Sequence, residues 1–258
     1  MLEIKSLCCG YKTKTVLKDI SFTLGKGELL CLLGPNGVGK TTLFKTILGL
    51  LPAQGGEILL DNQNVATWSR RRFAARVGYV PQAHTPPFPF RVLDVVATGR
   101  TAHIGLFSSP TSKDFAIAEE ALSTLGIHHL REHTYTEISG GERQLVLIAR
   151  ALTQQTDLLI MDEPTSNLDY GNQIKVLDHI RRISRETDIS IILTTHYPNH
   201  ALLYASKALI LDRHSTVCVG RPHEVITEQY LHEAYQVKSR LLNIVNPSGA
   251  PLRVCVPA

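Results

Sequence analysis

The stretch LLCLLGPNGVGKTTLFKTIL (29–48) constrains this chain more than any other. Leu29–Leu33 is a short apolar run closed by a glycine, the pattern of a buried strand. Gly34 to Thr41 then fit Gly-x-x-x-x-Gly-Lys-Thr, with strand before and helix after, the context that pattern requires. Glycines let successive backbone N–H groups turn inward, and the helix start adds positive partial charge. The loop Gly34, Pro35, Asn36, Gly37, Val38 and Gly39 is thus a candidate phosphate cradle. Lys40 places a cation near the β- and γ-phosphates of a nucleotide such as ATP. At ~4 Å and an effective dielectric of ~20, one charge pair contributes about 4 kcal/mol before desolvation. Thr41 offers a hydroxyl to Mg²⁺, and Thr42 can reach the α-phosphate.

A second motif completes that site. LLIMDEP (158–164) is an apolar strand ending in two carboxylates. Beside the cradle, such a strand delivers Asp162 to the metal through water and sets Glu163 to polarise a water in line with the γ-phosphate. A kinase or transferase would need an acceptor pocket that the sequence does not locate, so hydrolysis is favoured.

ISGGERQLVLIARAL (138–152) poses a different question. Ser139 and Glu142 form a Ser-x-x-Glu capping box, which explains a helix start. It does not explain Gly140 and Gly141, each disfavoured in a helix interior by roughly 0.8–1 kcal/mol relative to alanine. Bare N–H groups at a positive helix end suit a γ-phosphate. With 100 residues between them, that phosphate need not sit on the same chain's cradle; a second copy can supply it.

Strands are expected at 2–7, 16–24, 29–34, 56–61 and 77–82, then at 157–162, 189–195 and 207–212. Helices are expected at about 39–50, 92–100, 113–126, 141–153, 172–186 and 198–204, with one or two short ones past Pro222. Strand-helix alternation predicts an α/β fold with a mostly parallel sheet, antiparallel strands at the N-terminus and an inserted helical subdomain. The core is expected at 1–82 and 156–236 and the helical subdomain at about 83–155, opening with the proline-rich AHTPPFPF. Residues 237–258 read as a strand-like tail around an NPSGAP turn.

At 258 residues, with 43% hydrophobic and 19% charged residues, the composition is that of a soluble globular protein. Net charge is only +4, and Arg70-Arg71-Arg72 reads as a solvated helix face, so no nucleic-acid partner is expected. No apolar run approaches the ~20 residues that span a bilayer. The N-terminus lacks a basic region followed by an apolar core, which predicts a cytoplasmic location. The five cysteines show no CxxC spacing, and the histidines, His84 and His128-His129 included, suggest no metal site.

SGGE with the RQLVLIARAL that follows resembles the signature of ATP-binding cassette ATPases, commonly Leu-Ser-Gly-Gly-Gln. Ile138 stands for leucine and Glu142 for glutamine. Other family elements follow in order over residues 1–235. Tyr11 matches the aromatic that stacks on adenine. Gln82 matches the glutamine that links the metal to the transmembrane partner. SNLD (166–169) matches the loop that crosses the dimer interface through Asp169. His196 in TTHYPNHA matches the histidine that contacts the γ-phosphate. The resemblance implies a P-loop NTPase core and a head-to-tail dimer of identical chains. Two ATP molecules lie between the cradle of one chain and Ser139, Gly140, Gly141 and Glu142 of the other. Glu163 acts on water, while His196 and Lys40 stabilise transferring charge.

VLDVVATGR and TTHYPNHA are further similar to ATPases of bacterial importers for iron-siderophore, haem, cobalamin and molybdate. That implies a peripheral subunit on the cytoplasmic face of the inner membrane. Permease subunits would dock near Gln82, around residues 86–107, and a periplasmic or lipid-anchored binding protein would select cargo. An iron chelate is the first expectation. A cassette exporter ATPase is the alternative, and a soluble non-transport cassette protein a further one.

Overall fold

The computed structural model describes residues 1–12, 14–82, 88–105, 108–212, 217–245, 249 and 251–258. In chain order the elements are β1 (Leu2–Tyr11), β2 (Lys14–Leu24), β3 (Leu29–Leu33), α1 (Lys40–Ile47), β4 (Gly55–Leu60), β5 (Gln63–Asn64), α2 (Arg70–Arg76) and β6 (Val77–Val80). Next come α3 (Val92–Ala97), α4 (Ser112–Thr124), α5 (Gly140–Thr153), β7 (Leu158–Met161) and α6 (Tyr170–Glu186). The chain closes with β8 (Ser190–Thr195), α7 (Pro198–Tyr204), β9 (Lys207–Leu211), β10 (Val217–Gly220), α8 (Pro222–Val225), α9 (Glu228–Tyr235), β11 (Ser239–Val245) and β12 (Pro251–Pro257). His84 and most of AHTPPFPF, four residues of the expected docking segment 86–107, and most of the NPSGAP turn lie outside the described residues.

These residues form two compact units, Met1–Thr67 with Ser184–Ala258, and Trp68–Ile183. In the first, β1 pairs antiparallel with β2 and with β4, alternating Leu2 and Ile4 inward with exposed neighbours further along. β3 is parallel to both β8 and β9, and all five of its residues are buried, the expected result for a strand covered on both sides. β10 adds antiparallel to β9. β11 and β12 form a separate antiparallel pair. Asn199 of α7 ties to it, accepting from the Cys255 N–H at 2.7 Å and donating to the Cys255 carbonyl at 3.0 Å.

The second unit pairs β6 with β7 in parallel and packs α3, α4 and α5 together through buried residues including Val92, Val96, Ala118, Leu122, Val146 and Ile148. The helix expected over 92–100 stops at Ala97 and tightens to a 3₁₀ turn at Thr98–Ala102. There Gly99 lies so close to the Arg150 carbonyl that a Cβ would sit 2.1 Å from it. Arg100 then turns inward. It donates to Asp114 at 3.0 Å, to the Thr153 carbonyl at 3.0 Å and to Gln155 Oε1 at 2.9 Å, so its charge is paired where it is buried.

Asp114 also accepts from the Thr111 N–H at 2.9 Å and the Thr111 hydroxyl at 2.7 Å. Those two bonds and then Arg100 hold its carboxyl down, from 3.8 to about 2. A depressed carboxylate stabilises the fold above its unfolded value and loses that contribution as pH falls through the folded one. Asp114→Asn should therefore melt below wild type at pH 6. Thermal melts taken between pH 4 and pH 2 should show the gap closing as wild type is itself protonated.

Candidate functional site

In the first unit the candidate phosphate cradle runs from the end of β3 into α1. Gly34 is forced by close approach, since a Cβ there would meet the Leu211 carbonyl oxygen at 2.5 Å. Gly39 caps α1 at φ 113°, a left-handed backbone that side chains rarely adopt. No side chain caps α1 and its first turn carries no acid, so the loop turns orphan N–H groups and uncompensated positive charge to one place. Lys40 is buried and folds back over the loop, donating to the carbonyls of Gly34 at 2.6 Å and Pro35 at 3.1 Å. Asn36, Gly37 and Thr41 are exposed, Val38 is half-buried, and Thr42 is buried.

The parallel register pairs Leu33 with Thr195, so Gly34 and His196 leave the same edge of one sheet. The His196 ring lies against Tyr197 at a centroid distance of 4.0 Å. Thr195 accepts from the Tyr197 N–H at 3.1 Å and bonds the His200 ring at 3.0 Å, which fixes the turn carrying His196. Burial pushes His200 down to about 4, so it is neutral near pH 7. Tyr11 ends β1 and is 46% exposed, available for stacking.

The second unit gathers the other candidates. Asp162 and Glu163 follow β7, and Gln82 follows β6 by two residues. Gln82 Nε2 donates to Glu163 Oε2 at 3.3 Å. Glu163 sits at φ 42°, a strained conformation for a residue with a side chain. Its carbonyl accepts from the Ser166 N–H at 3.0 Å.

The helix start at 139–142 forms both halves of its capping box. Ser139 Oγ accepts from the Glu142 N–H at 3.3 Å, and Glu142 Oε2 accepts from the Ser139 N–H at 2.8 Å. Ser139 thereby holds the Glu142 carboxyl below the ordinary carboxylate range. The charge that replaces the commoner glutamine is thus folded back on its own helix end. The two glycines separate by cause. A Cβ on Gly141 would strike Asn172 Cγ at 2.7 Å; a Cβ on Gly140 would meet only Leu168 Cδ2, at 3.9 Å. Gly140 is not in the left-handed region either, so neither backbone nor crowding within the chain demands a glycine there. Gly140→Ala should leave the melting temperature within about 2 °C of wild type. Gly141→Ala overpacks, at about 1–3 kcal/mol, and should lower it by several degrees in a chain of this size.

Asp169 caps α6, accepting from the Asn172 N–H at 2.9 Å and from Asn172 Nδ2 at 2.6 Å. The Asn172 N–H foremost holds the Asp169 carboxyl down. Asn172 was not legible as a site residue: Asp169 three positions before it signals a cap, but the contact with Gly141 is long-range.

This unit also holds a cleft of about 960 Å³ lined by Arg70, Arg71, Tyr79, Asp94, Phe115 and Arg150 among others. Arg70, Arg71 and Arg72 are all exposed, as expected of a solvated helix face, and the first two also border this cleft. Arg71 Nε donates to the Ala102 carbonyl at 3.2 Å, and Arg72 lies 4.4 Å over the Trp68 ring.

Among known proteins, the ABC transporter family profile matches residues 17–166. A "Probable iron chelatin transport ATP-binding protein" of Helicobacter pylori is 36% identical over 227 residues, covering 85% of this chain and 89% of its own. The "Molybdate import ATP-binding protein MolC" of Haemophilus influenzae is 35% identical over 231 residues, covering 89% and 86%. A solved inward-facing metal-chelate type ABC transporter superposes with a TM-score of 0.88 at 32% identity, over 100% of this chain and 97% of that one.

Proposed function

The chain belongs to the ABC transporter family, and from that premise we propose that it is the ATPase of a bacterial metal-chelate importer. ATP binding and hydrolysis come with the family; the direction of transport, the cargo and the residue roles are our reading. ATP lies on the cradle Gly34–Gly39, with Lys40 on its β- and γ-phosphates, Thr42 toward the α-phosphate and Tyr11 against adenine. Glu163 orients or deprotonates the attacking water, and His196 with Lys40 stabilises charge on the transferring phosphoryl group.

The donor set suits Mg²⁺, which takes oxygen ligands and keeps several waters. Thr41 offers a hydroxyl and Asp162 a carboxylate. Gln82 spends its N–H on Glu163, which leaves its carbonyl oxygen for a cation. Mg²⁺ at these residues would neutralise charge shared by the β- and γ-phosphates.

Two copies pack head to tail, so that Ser139, Gly140 and Gly141 of one close on the γ-phosphate held by the other, with Asp169 at the seam. Hydrolysis removes the contact that both copies share and loosens the closure. The permease contributes a cytoplasmic helix to the cleft beside Arg70, Arg71 and Arg150. Those cations favour an acidic residue on that helix, while Tyr79 and Phe115 favour an apolar face. This places the chain at the cytoplasmic face of the inner membrane, with a binding protein delivering cargo from outside.

The Gln82–Glu163 contact carries the reading, because it joins the hydrolytic carboxylate to the residue beside the proposed permease site. The test is ATP-driven flux in vesicles holding the cognate membrane subunits, screened across iron-siderophore, haem, cobalamin and molybdate. Uptake of an iron chelate is expected. Uptake of another cargo overturns the iron assignment, outward flux overturns import, and failure to bind any membrane subunit overturns transport.

A further inference from the structure

Asp169 and the Ser139–Gly141 helix start are 28 residues apart at their closest, yet one side chain joins them. Asn172 Nδ2 donates to Asp169 Oδ2 at 2.6 Å, and the Asn172 N–H donates to Asp169 Oδ1 at 2.9 Å. The same amide lies flat on Gly141, its Cγ occupying space 2.7 Å from where a Cβ would stand. Gln173 Nε2 secures the loop by donating to the Leu168 carbonyl at 3.0 Å, and Leu168 reaches to Gly140. The loop 166–169 and the start of α5 are thus one block with Asn172 as its joint. Ser139, Gly140 and Asp169 all stay exposed on it.

We propose that Asn172 is a positioning residue that sets the spacing between Asp169 and the Ser139–Gly141 helix start, so that both meet a second copy together. This rests on the two-copy reading above. Asn172 acts by holding two contact points in register, so that closure does not have to order them separately. It also explains why Gly141, unlike Gly140, is fixed by crowding: a larger residue there would push the amide off Asp169.

A residue that only capped α6 would change stability and leave assembly alone. The test uses Glu163→Gln as the closing background and ATP with Mg²⁺ as the probe, reading the monomer–dimer equilibrium by light scattering. Asn172→Ala removes the side-chain contacts to Asp169 and Gly141 and keeps the backbone N–H on Asp169; Asn172→Asp keeps the bulk against Gly141 but replaces the donor with a carboxylate that repels Asp169. In the Glu163→Gln background each should need at least tenfold more ATP for half-dimerisation, the size of one charge-assisted hydrogen bond. ATP affinity of the dilute monomer should stay within about twofold and the melting temperature within a few degrees. If the double variants dimerise at the same ATP concentration as Glu163→Gln alone, the role of Asn172 is refuted and the two-copy reading stands. If Glu163→Gln itself stays monomeric with ATP, the two-copy reading fails and the role goes with it. If dimerisation falls only in step with melting temperature or monomer affinity, Asn172 is structural and the proposal is overturned.

Discussion

Glu163→Gln should cut ATP turnover by roughly 10²–10⁴-fold, the span that removal of a positioned proton acceptor produces, and should leave ATP binding intact. The substitution keeps size and shape. An amide at 163 can still accept from Gln82, whose Nε2 now donates to the carboxylate at 3.3 Å. What disappears is the negative charge to which we assign the activation of water. The backbone argues for a specific role as well. Glu163 is held at φ 42°, a conformation that costs a residue with a side chain about 1–3 kcal/mol and persists where the surroundings over-determine it. The Ser166 N–H on its carbonyl and the end of β7 provide that constraint. With chemistry blocked and binding intact, ATP should accumulate on the protein and hold two copies closed. Phosphate release and the nucleotide retained through gel filtration measure both consequences. Turnover at the wild-type rate would remove Glu163 from the chemistry.

Lys40→Ala should weaken ATP binding by about 10²–10³-fold. One charge pair at ~4 Å and an effective dielectric of ~20 is worth about 4 kcal/mol, reduced by the cost of desolvating the amine, and each 1.4 kcal/mol is tenfold. Lys40 is buried and folded over the loop, donating to the Gly34 and Pro35 carbonyls. The charge is therefore already in place when phosphate arrives, and little side-chain ordering remains to be done. Calorimetric titration gives the affinity. Melting curves supply the control: ATP should raise the wild-type midpoint through binding linkage and leave that of Lys40→Ala nearly unmoved, while the nucleotide-free midpoints stay within a few degrees. Equal ATP affinity in the two proteins would contradict the phosphate role.

Local pattern carried much of this architecture. Leu29–Leu33 reads as a strand buried on both sides, and it is. Ser139 and Glu142 read as a capping box, and both bonds form. Elements shaped by distant partners were harder. The helix at 92 shortens because Gly99 must approach the Arg150 carbonyl, which no window of local sequence contains. β10 is four residues, Val-Cys-Val-Gly, too short for alternation to register, and it exists by pairing with β9. The arginine triplet carries a helix pattern, but the cleft beside Arg70 and Arg71 is made by residues as far along the chain as Gln154. Asn172 shows its cap to Asp169 in sequence and hides its packing on Gly141. The glycine-lysine loop and the Ser-x-x-Glu box announce themselves by spacing, and Tyr11, Gln82, Asp169 and His196 are proposed from the family resemblance; Asn172, which packs behind one of them, carries neither signal.

The decisive measurement is the structure of Glu163→Gln crystallised with ATP and Mg²⁺. Each γ-phosphate should lie against Lys40 of one copy, with N–H groups of Gly140 and Gly141 from the other copy within about 3.2 Å of its oxygens. A nucleotide-loaded assembly whose Ser139–Gly141 segments face solvent, or their own chain's phosphate, would contradict the shared site.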